Sequence, residues 1–187
     1  LVHAFSSRHG QPLADQEICV FALGIEKRWR KPQVCGEPAG GALGAVLARF
    51  VPRAAISSPE PKAIQTAEIL ASAMGLEVDI DPNLGEHSRP SFSFGAEAEF
   101  LARMATVFAS PKVSAPGDES ADQAYYRVAA TLARHPLRPL MAVTHGTVLS
   151  LYVARRLGLN AHDLWRSLKT PEAFVIDSEG ALIARLS

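Results

Sequence analysis

Two stretches of the chain place a histidine directly before a glycine: Arg8-His9-Gly10 and Thr144-His145-Gly146. Between them, Ser57-Ser58-Pro59-Glu60-Pro61-Lys62-Ala63 sets a cation just inside what reads as a strand-to-helix turn. A neutral imidazole can attack an electrophile through a ring nitrogen, and an imidazole can also stabilise building negative charge. A guanidinium offers a planar fork of donors to two phosphate oxygens, whereas an ammonium offers a point charge. Two imidazoles, an arginine and a lysine at such turns are the parts needed to hold and transfer a phosphoryl group. Glycine after each histidine lets a bound group approach the backbone with no Cβ in the way.

Such residues act together only if the fold delivers them to one edge. Short apolar runs alternate with longer amphipathic ones, the pattern of α/β layers. Strands are predicted over residues 3–7, 54–57, 77–80, 140–144, 173–176 and 181–186, and helices over 39–50, 59–74, 96–108, 120–133, 147–157 and 161–167. Ser58-Pro59 fits an N-cap followed by proline at the first helical position. Gly75 fits the glycine that stops that helix. Asn160 with Asp163 resembles a capping box, and residues 177–180 read as a hairpin turn. Residues 11–38 and 85–95 lack clear periodicity, and long loops in a compact domain tend to be functional rims. Ligands of open α/β sheets sit beyond the carboxyl ends of the strands. Arg8, His9, Ser57, Ser58, Lys62 and His145 are therefore expected along that edge, where helix N-termini also favour an anion.

The bulk numbers bound the partners. A chain of 187 residues suits a single domain spanning residues 1–187. It is 48% hydrophobic and 20% charged, which is ordinary for a soluble protein, and its zero net charge gives no reason to expect nucleic acid or an anionic membrane. The local exception, Glu26-Lys27-Arg28-Trp29-Arg30-Lys31, reads as a solvated loop or as an anion-attracting rim. Cys19 and Cys35 have no metal-ligand spacing, and whether they form a disulfide stays open. No apolar run is long enough to span a membrane, so the cytoplasm is the expected compartment, although the first residue, Leu1, leaves a removed leader open.

Taken in order, Arg8-His9-Gly10, Ser57-Ser58-Pro59 through Lys62-Ala63 to Gln65-Thr66-Ala67, Leu84-Gly85-Glu86 and Thr144-His145-Gly146 resemble the histidine phosphatase superfamily, in its phosphoglycerate-mutase-like branch. Gly117-Asp118-Glu119-Ser120 resembles that family's Gly-Glu-Ser turn with one residue inserted. The resemblance implies a three-layer α/β/α sandwich with a mostly parallel central sheet. It implies His9 as the nucleophile that forms a phosphohistidine, and Arg8 as a fork on the phosphate. His145 would stabilise the transferring group, and Glu86 would be the acid that protonates the leaving oxygen and then activates water. Lys62, Gly10 and Gly146 would complete the phosphate site. No metal or cofactor is implied, since the cations supply the neutralising charge.

Three features depart from the family pattern. Lys62 stands where a second arginine is usual, keeping charge but losing the bidentate fork. Glu86 is followed by His87-Ser88 rather than a glycine-rich continuation, and Asp118 and Glu119 are fallback acids. The predicted first strand carries Phe5-Ser6-Ser7 where an apolar run is expected. The implied activity is hydrolysis of a phosphate monoester on a small molecule or a phosphoprotein. Phosphatase is preferred to mutase because mutases of this group tend to be longer. A phosphoglycerate-type mutase and a degenerate phospho-ligand binding module remain as alternatives. His87 and the aromatics Trp29, Phe92 and Phe94 are secondary candidates for a pocket, while His3, His135 and His162 read as bystanders.

Overall fold

The computed structural model describes residues 3–4, 19–20, 37–92 and 96–187. Four parallel strands carry the site: β2 (Cys19–Val20), β5 (Leu140–Val143), β3 (Ala54–Ser57) and β4 (Val78–Ile80), in the spatial order β2-β5-β3-β4. A second, antiparallel ladder runs β1 (His3–Ala4), β7 (Leu182–Leu186), β6 (Ala173–Ile176), with β6 lying against β2. Helices α1 (Glu37–Leu47), α2 (Pro61–Ser72), α3 (Glu97–Ala109), α4 (Ala121–Arg134), α5 (Gly146–Leu157) and α6 (Ala161–Ser167), with short 3-10 helices at Ala48–Phe50 and Pro82–Leu84, complete the described elements.

Strand alternation divides the core in two. Ala54, Ile56, Leu140, Ala142, Phe174 and Ile176 face a cluster built with α4, α5 and α6. The intervening Ala55, Met141, Val143, Ala173 and Val175 face a second cluster built with α1 and α2. Successive strand side chains point to opposite faces, so two clusters on one set of strands mean helices above and below the sheet. The expected three-layer α/β/α architecture with a central parallel sheet is what the structure shows. Gly44 lets α1 approach α2: a Cβ there would lie 3.2 Å from the Ala73 Cβ.

Three local expectations change. The first predicted strand, 3–7, is described only at His3–Ala4 and joins the antiparallel ladder through β7, not the parallel sheet. Cys19–Val20, inside a segment read as irregular, pairs with Leu140 and Met141 instead; two residues are too few to show a period, and only the partner strand defines them. Helix α2 begins at Pro61, not Pro59, with Glu60 extended at φ −69°, ψ 134°. Proline disfavours the helical region for the residue before it, so Pro61 sets the boundary and Glu60 becomes the N-cap position.

Elsewhere the punctuation follows the sequence. Gly75 takes φ +65° after α2, and Asn160 Oδ1 accepts from Asp163 N at 3.0 Å. Residues 177–180 close the hairpin, with Gly180 at φ +87°. Helix α4 opens on a full capping box, in which Ser120 Oγ accepts from Gln123 N and Gln123 Oε1 accepts from Ser120 N. Ser120→Ala removes one half of that exchange. We expect a loss of about 1 kcal/mol and a fall in Tm of roughly 2–4 °C, read by thermal denaturation.

Candidate active site

The register of β3 and β5 fixes where the chain leaves the sheet. Ser57 lies opposite Val143, and Ser58 N donates to the Val143 carbonyl at 2.9 Å, so the two strands end side by side. His145 follows two residues after β5 as the N-cap of α5 and is fully buried. Its Nε2 lies 2.6 Å from Ser58 Oγ and 3.1 Å from Glu60 Oε1. Glu60 Oε2 is 3.3 Å from Lys62 Nζ, and Glu60 Oε1 also accepts from Glu86 N at 3.3 Å. One carboxylate thus bridges the imidazole, the ammonium and a backbone amide.

Glu86 arrives from the other side. Thr144 Oγ1 donates to the Leu84 carbonyl at 2.5 Å and ties the loop ahead of Glu86 to the end of β5. The Glu86 carboxylate accepts from His87 N at 2.7 Å, from Thr147 N at 3.2 Å and from Val148 N at 3.4 Å. The last two are unpaired amides of the first turn of α5, where the helix dipole favours negative charge. Burial alone would raise the Glu86 pKa. Arg89, His145 and the amides of His87 and Thr147 outweigh it, and the group is held below the ordinary glutamate value. His87 is buried and pushed below the ordinary histidine value by that burial and by Arg89, against the opposing pull of Glu86 and Glu119.

The loop that carries these groups is clamped. Arg127 donates through Nε and Nη2 to the two Glu119 carboxylate oxygens, both at 2.8 Å, and through Nη1 to the Asn83 carbonyl at 2.5 Å and the Gly85 carbonyl at 3.1 Å. Glu119 returns a contact to the loop, accepting from Ser88 N at 3.2 Å and donating its own amide to Ser88 O at 2.8 Å. Asp118 accepts from Ser91 N and Ser91 Oγ at 2.8 and 2.5 Å. The two fallback acids therefore fasten the segment that follows Glu86.

The structure brings together His145, Gly146, Lys62 and Glu86 at the carboxyl ends of β3 and β5. Arg8, His9 and Gly10 lie outside the described residues, as do Trp29 and Phe94. Glu60, Arg89 and Arg127 were not singled out from sequence. Glu60 had one available signal: it is a carboxylate two residues after Ser58 whose backbone the following Pro61 holds extended. Arg127 had none, because its partners lie 8 and more than 40 positions away.

The profile of the histidine phosphatase superfamily (branch 1) matches residues 36–176. The chain belongs to this superfamily. The matched span holds Ser58, Lys62, Glu86 and His145 and begins after His9. Solved structures of the same fold include mycobacterial hydrolase 1, with 18% identity, TM-score 0.67, and 93% of this chain and 97% of that one covered. A mycobacterial glucosyl-3-phosphoglycerate phosphatase complexed with VO3 matches at 20% identity and TM-score 0.65, covering 87% and 92%. The YhfR protein of Bacillus stearothermophilus matches at 19% identity and TM-score 0.64, covering 89% and 94%. At these identities the structures share the fold. No curated protein sequence matches the chain at a significant level. Family membership supports a phosphoric monoester hydrolase, and among the described residues no helix is long and apolar enough to cross a membrane.

The Glu86 contacts set a pH dependence. A carboxyl whose pKa is lowered by folding stabilises the native state above its unfolded value, and that contribution is lost as pH falls through the folded one. Glu86→Gln should cost about 1–2 kcal/mol at pH 7. The gap to wild type should close as pH falls below 4.5, the ordinary value. Urea denaturation across pH checks this; a gap that stays constant to pH 3 contradicts it.

Proposed function

We propose that this histidine phosphatase superfamily member hydrolyses a phosphate monoester, on a small metabolite or a phosphoprotein, through a phosphohistidine on His9 and without a metal. The observation that carries the reading is the Glu60 carboxylate lodged between His145 and Lys62, because a group that bridges an imidazole and an ammonium marks an anion position. A phosphoryl group placed there would receive a hydrogen bond from His145 Nε2 and charge from Lys62.

In the proposed reaction, a neutral His9 ring nitrogen attacks phosphorus as the bond to the leaving oxygen breaks. Arg8 grips two of the phosphoryl oxygens, with Gly10 and Gly146 leaving room for them against the backbone. Glu86 protonates the leaving oxygen. Water then attacks the phosphohistidine, gives its proton to Glu86 and releases inorganic phosphate. For this role Glu86 must let go of Thr147 and Val148 and take up a proton. Losing the Thr147 amide removes one of the contacts that lower its pKa against the burial that raises it.

A second reading has its own observation. The strand beside β5 is Cys19–Val20, and the sequence continues from it as Phe21-Ala22-Leu23-Gly24 with no histidine, whereas His3–Ala4 pairs with β7. This placement favours a module that binds a phosphorylated ligand without turning it over.

Hydrolysis of p-nitrophenyl phosphate in excess EDTA separates the two. The phosphatase reading predicts activity that survives EDTA and is abolished in His9→Ala. Lys62→Ala should lower kcat/KM by about tenfold or more, the loss of one charge-assisted contact. Binding of inorganic phosphate without turnover by the wild-type protein would establish the module instead.

A further inference from the structure

Glu60 is anchored through its backbone and exchangeable through its side chain. Its amide donates to Ser58 Oγ at 3.3 Å, and its carbonyl accepts from Ala63 N and Ile64 N at 2.8 and 3.1 Å. The carboxylate reaches His145 Nε2 at 3.1 Å and Lys62 Nζ and Glu86 N at 3.3 Å each, yet the side chain is 37% exposed. Charge-assisted N–H···O bonds usually measure about 2.7–2.9 Å. All three carboxylate contacts are longer, so one planar group serves three donors at less than their best geometry. Because the side chain borders solvent, rotation about its own bonds can withdraw it while the start of α2 stays in place.

We propose that Glu60 is autoinhibitory: its carboxylate is an internal competitor in the phosphate position, and a phosphate must displace it to bind. The proposal rests on the phosphatase reading of the site and adds a regulation to it. A phosphate monoester brings three acceptor oxygens and roughly two negative charges to the same donors, so its contacts can exceed those of one carboxylate. Its apparent affinity is the intrinsic affinity reduced by the fraction of molecules in which Glu60 is withdrawn. The contact also discriminates, because a weakly anionic molecule offers His145 and Lys62 less than Glu60 already does. Displacement takes Oε1 from Glu86 N as well, so phosphate entry unties the backbone of the candidate acid from Glu60 in the same step.

Calorimetric titration of inorganic phosphate into wild type, Glu60→Gln, Glu60→Ala and Glu60→Asp tests this, with near-identical melting curves showing that all four fold. Glu60→Gln and Glu60→Ala should bind phosphate about ten- to a hundredfold more tightly than wild type, the release of a charge-assisted competitor. Glu60→Asp keeps the charge but is one methylene short of the three donors, so it should also bind more tightly than wild type, and less tightly than Glu60→Ala. A side chain that only supported the fold would weaken binding, or leave it unchanged, when replaced. Wild-type affinity in Glu60→Gln and Glu60→Ala, or no phosphate binding by any of the four, overturns the proposal. Tightening in those two with Glu60→Asp no tighter than wild type also overturns it, since that pattern is repulsion without displacement. Turnover of p-nitrophenyl phosphate by the wild-type protein judges the phosphatase reading separately. Turnover with unchanged phosphate affinities rejects autoinhibition alone, and tighter binding in the variants without turnover rejects hydrolysis alone.

Discussion

The parallel pairing of β3 with β5 is the constraint on which the site depends. Because Ser57 sits opposite Val143 and Ser58 N closes the ladder onto the Val143 carbonyl, the two chains leave the sheet at the same level. That places Ser58 and Glu60 against His145. A slip of one residue would turn each side chain of β3 to the opposite helical layer, exchanging Ala54 and Ile56 with Ala55 across two packed clusters. The core therefore fixes the register, and the register fixes the distances at the site.

Within that frame the electrostatics are internally matched. Glu60 bridges His145 and Lys62, and Glu86 satisfies the first amides of α5. Each carboxylate occupies a place where an incoming anion would gain most. In the proposed reaction a phosphate would compete with both, so its binding would reflect the difference between its contacts and theirs. In the proposed reaction, release of Glu86 from α5 would also remove the Thr147 amide that lowers its pKa. The Arg127–Glu119 pair holds the loop through the backbone carbonyls of Asn83 and Gly85 rather than through the Glu86 side chain.

Much of this was legible in the sequence where local chemistry is strong. The strands at 54–57, 140–143 and 173–176 are short apolar runs bounded by polar turns, and the stripe Ala63, Ala67, Leu70 reads as a buried helix face. His145, Lys62 and Glu86 were legible as members of ordered motifs. Features that exist only through partners distant in the chain were not. Cys19–Val20 is a strand because Leu140 and Met141 pair with it, and Arg127 is a clamp because three loop carbonyls and Glu119 converge on it. The start of α2 was misplaced by two residues because two prolines offered equivalent local signals, and the extended backbone that Pro61 imposes on Glu60 separates them.

We propose that the place beyond the carboxyl ends of β3 and β5, between His145 and Lys62, is an anion site now held by Glu60. A crystal structure of the wild-type protein soaked in orthovanadate, a tetrahedral phosphate mimic, tests it most directly. The account predicts vanadium oxygens within hydrogen-bond distance of His145 Nε2 and Lys62 Nζ, with the Glu60 carboxylate swung away from both. Vanadate bound elsewhere, or absent at saturating concentration with Glu60 still on His145, would contradict it.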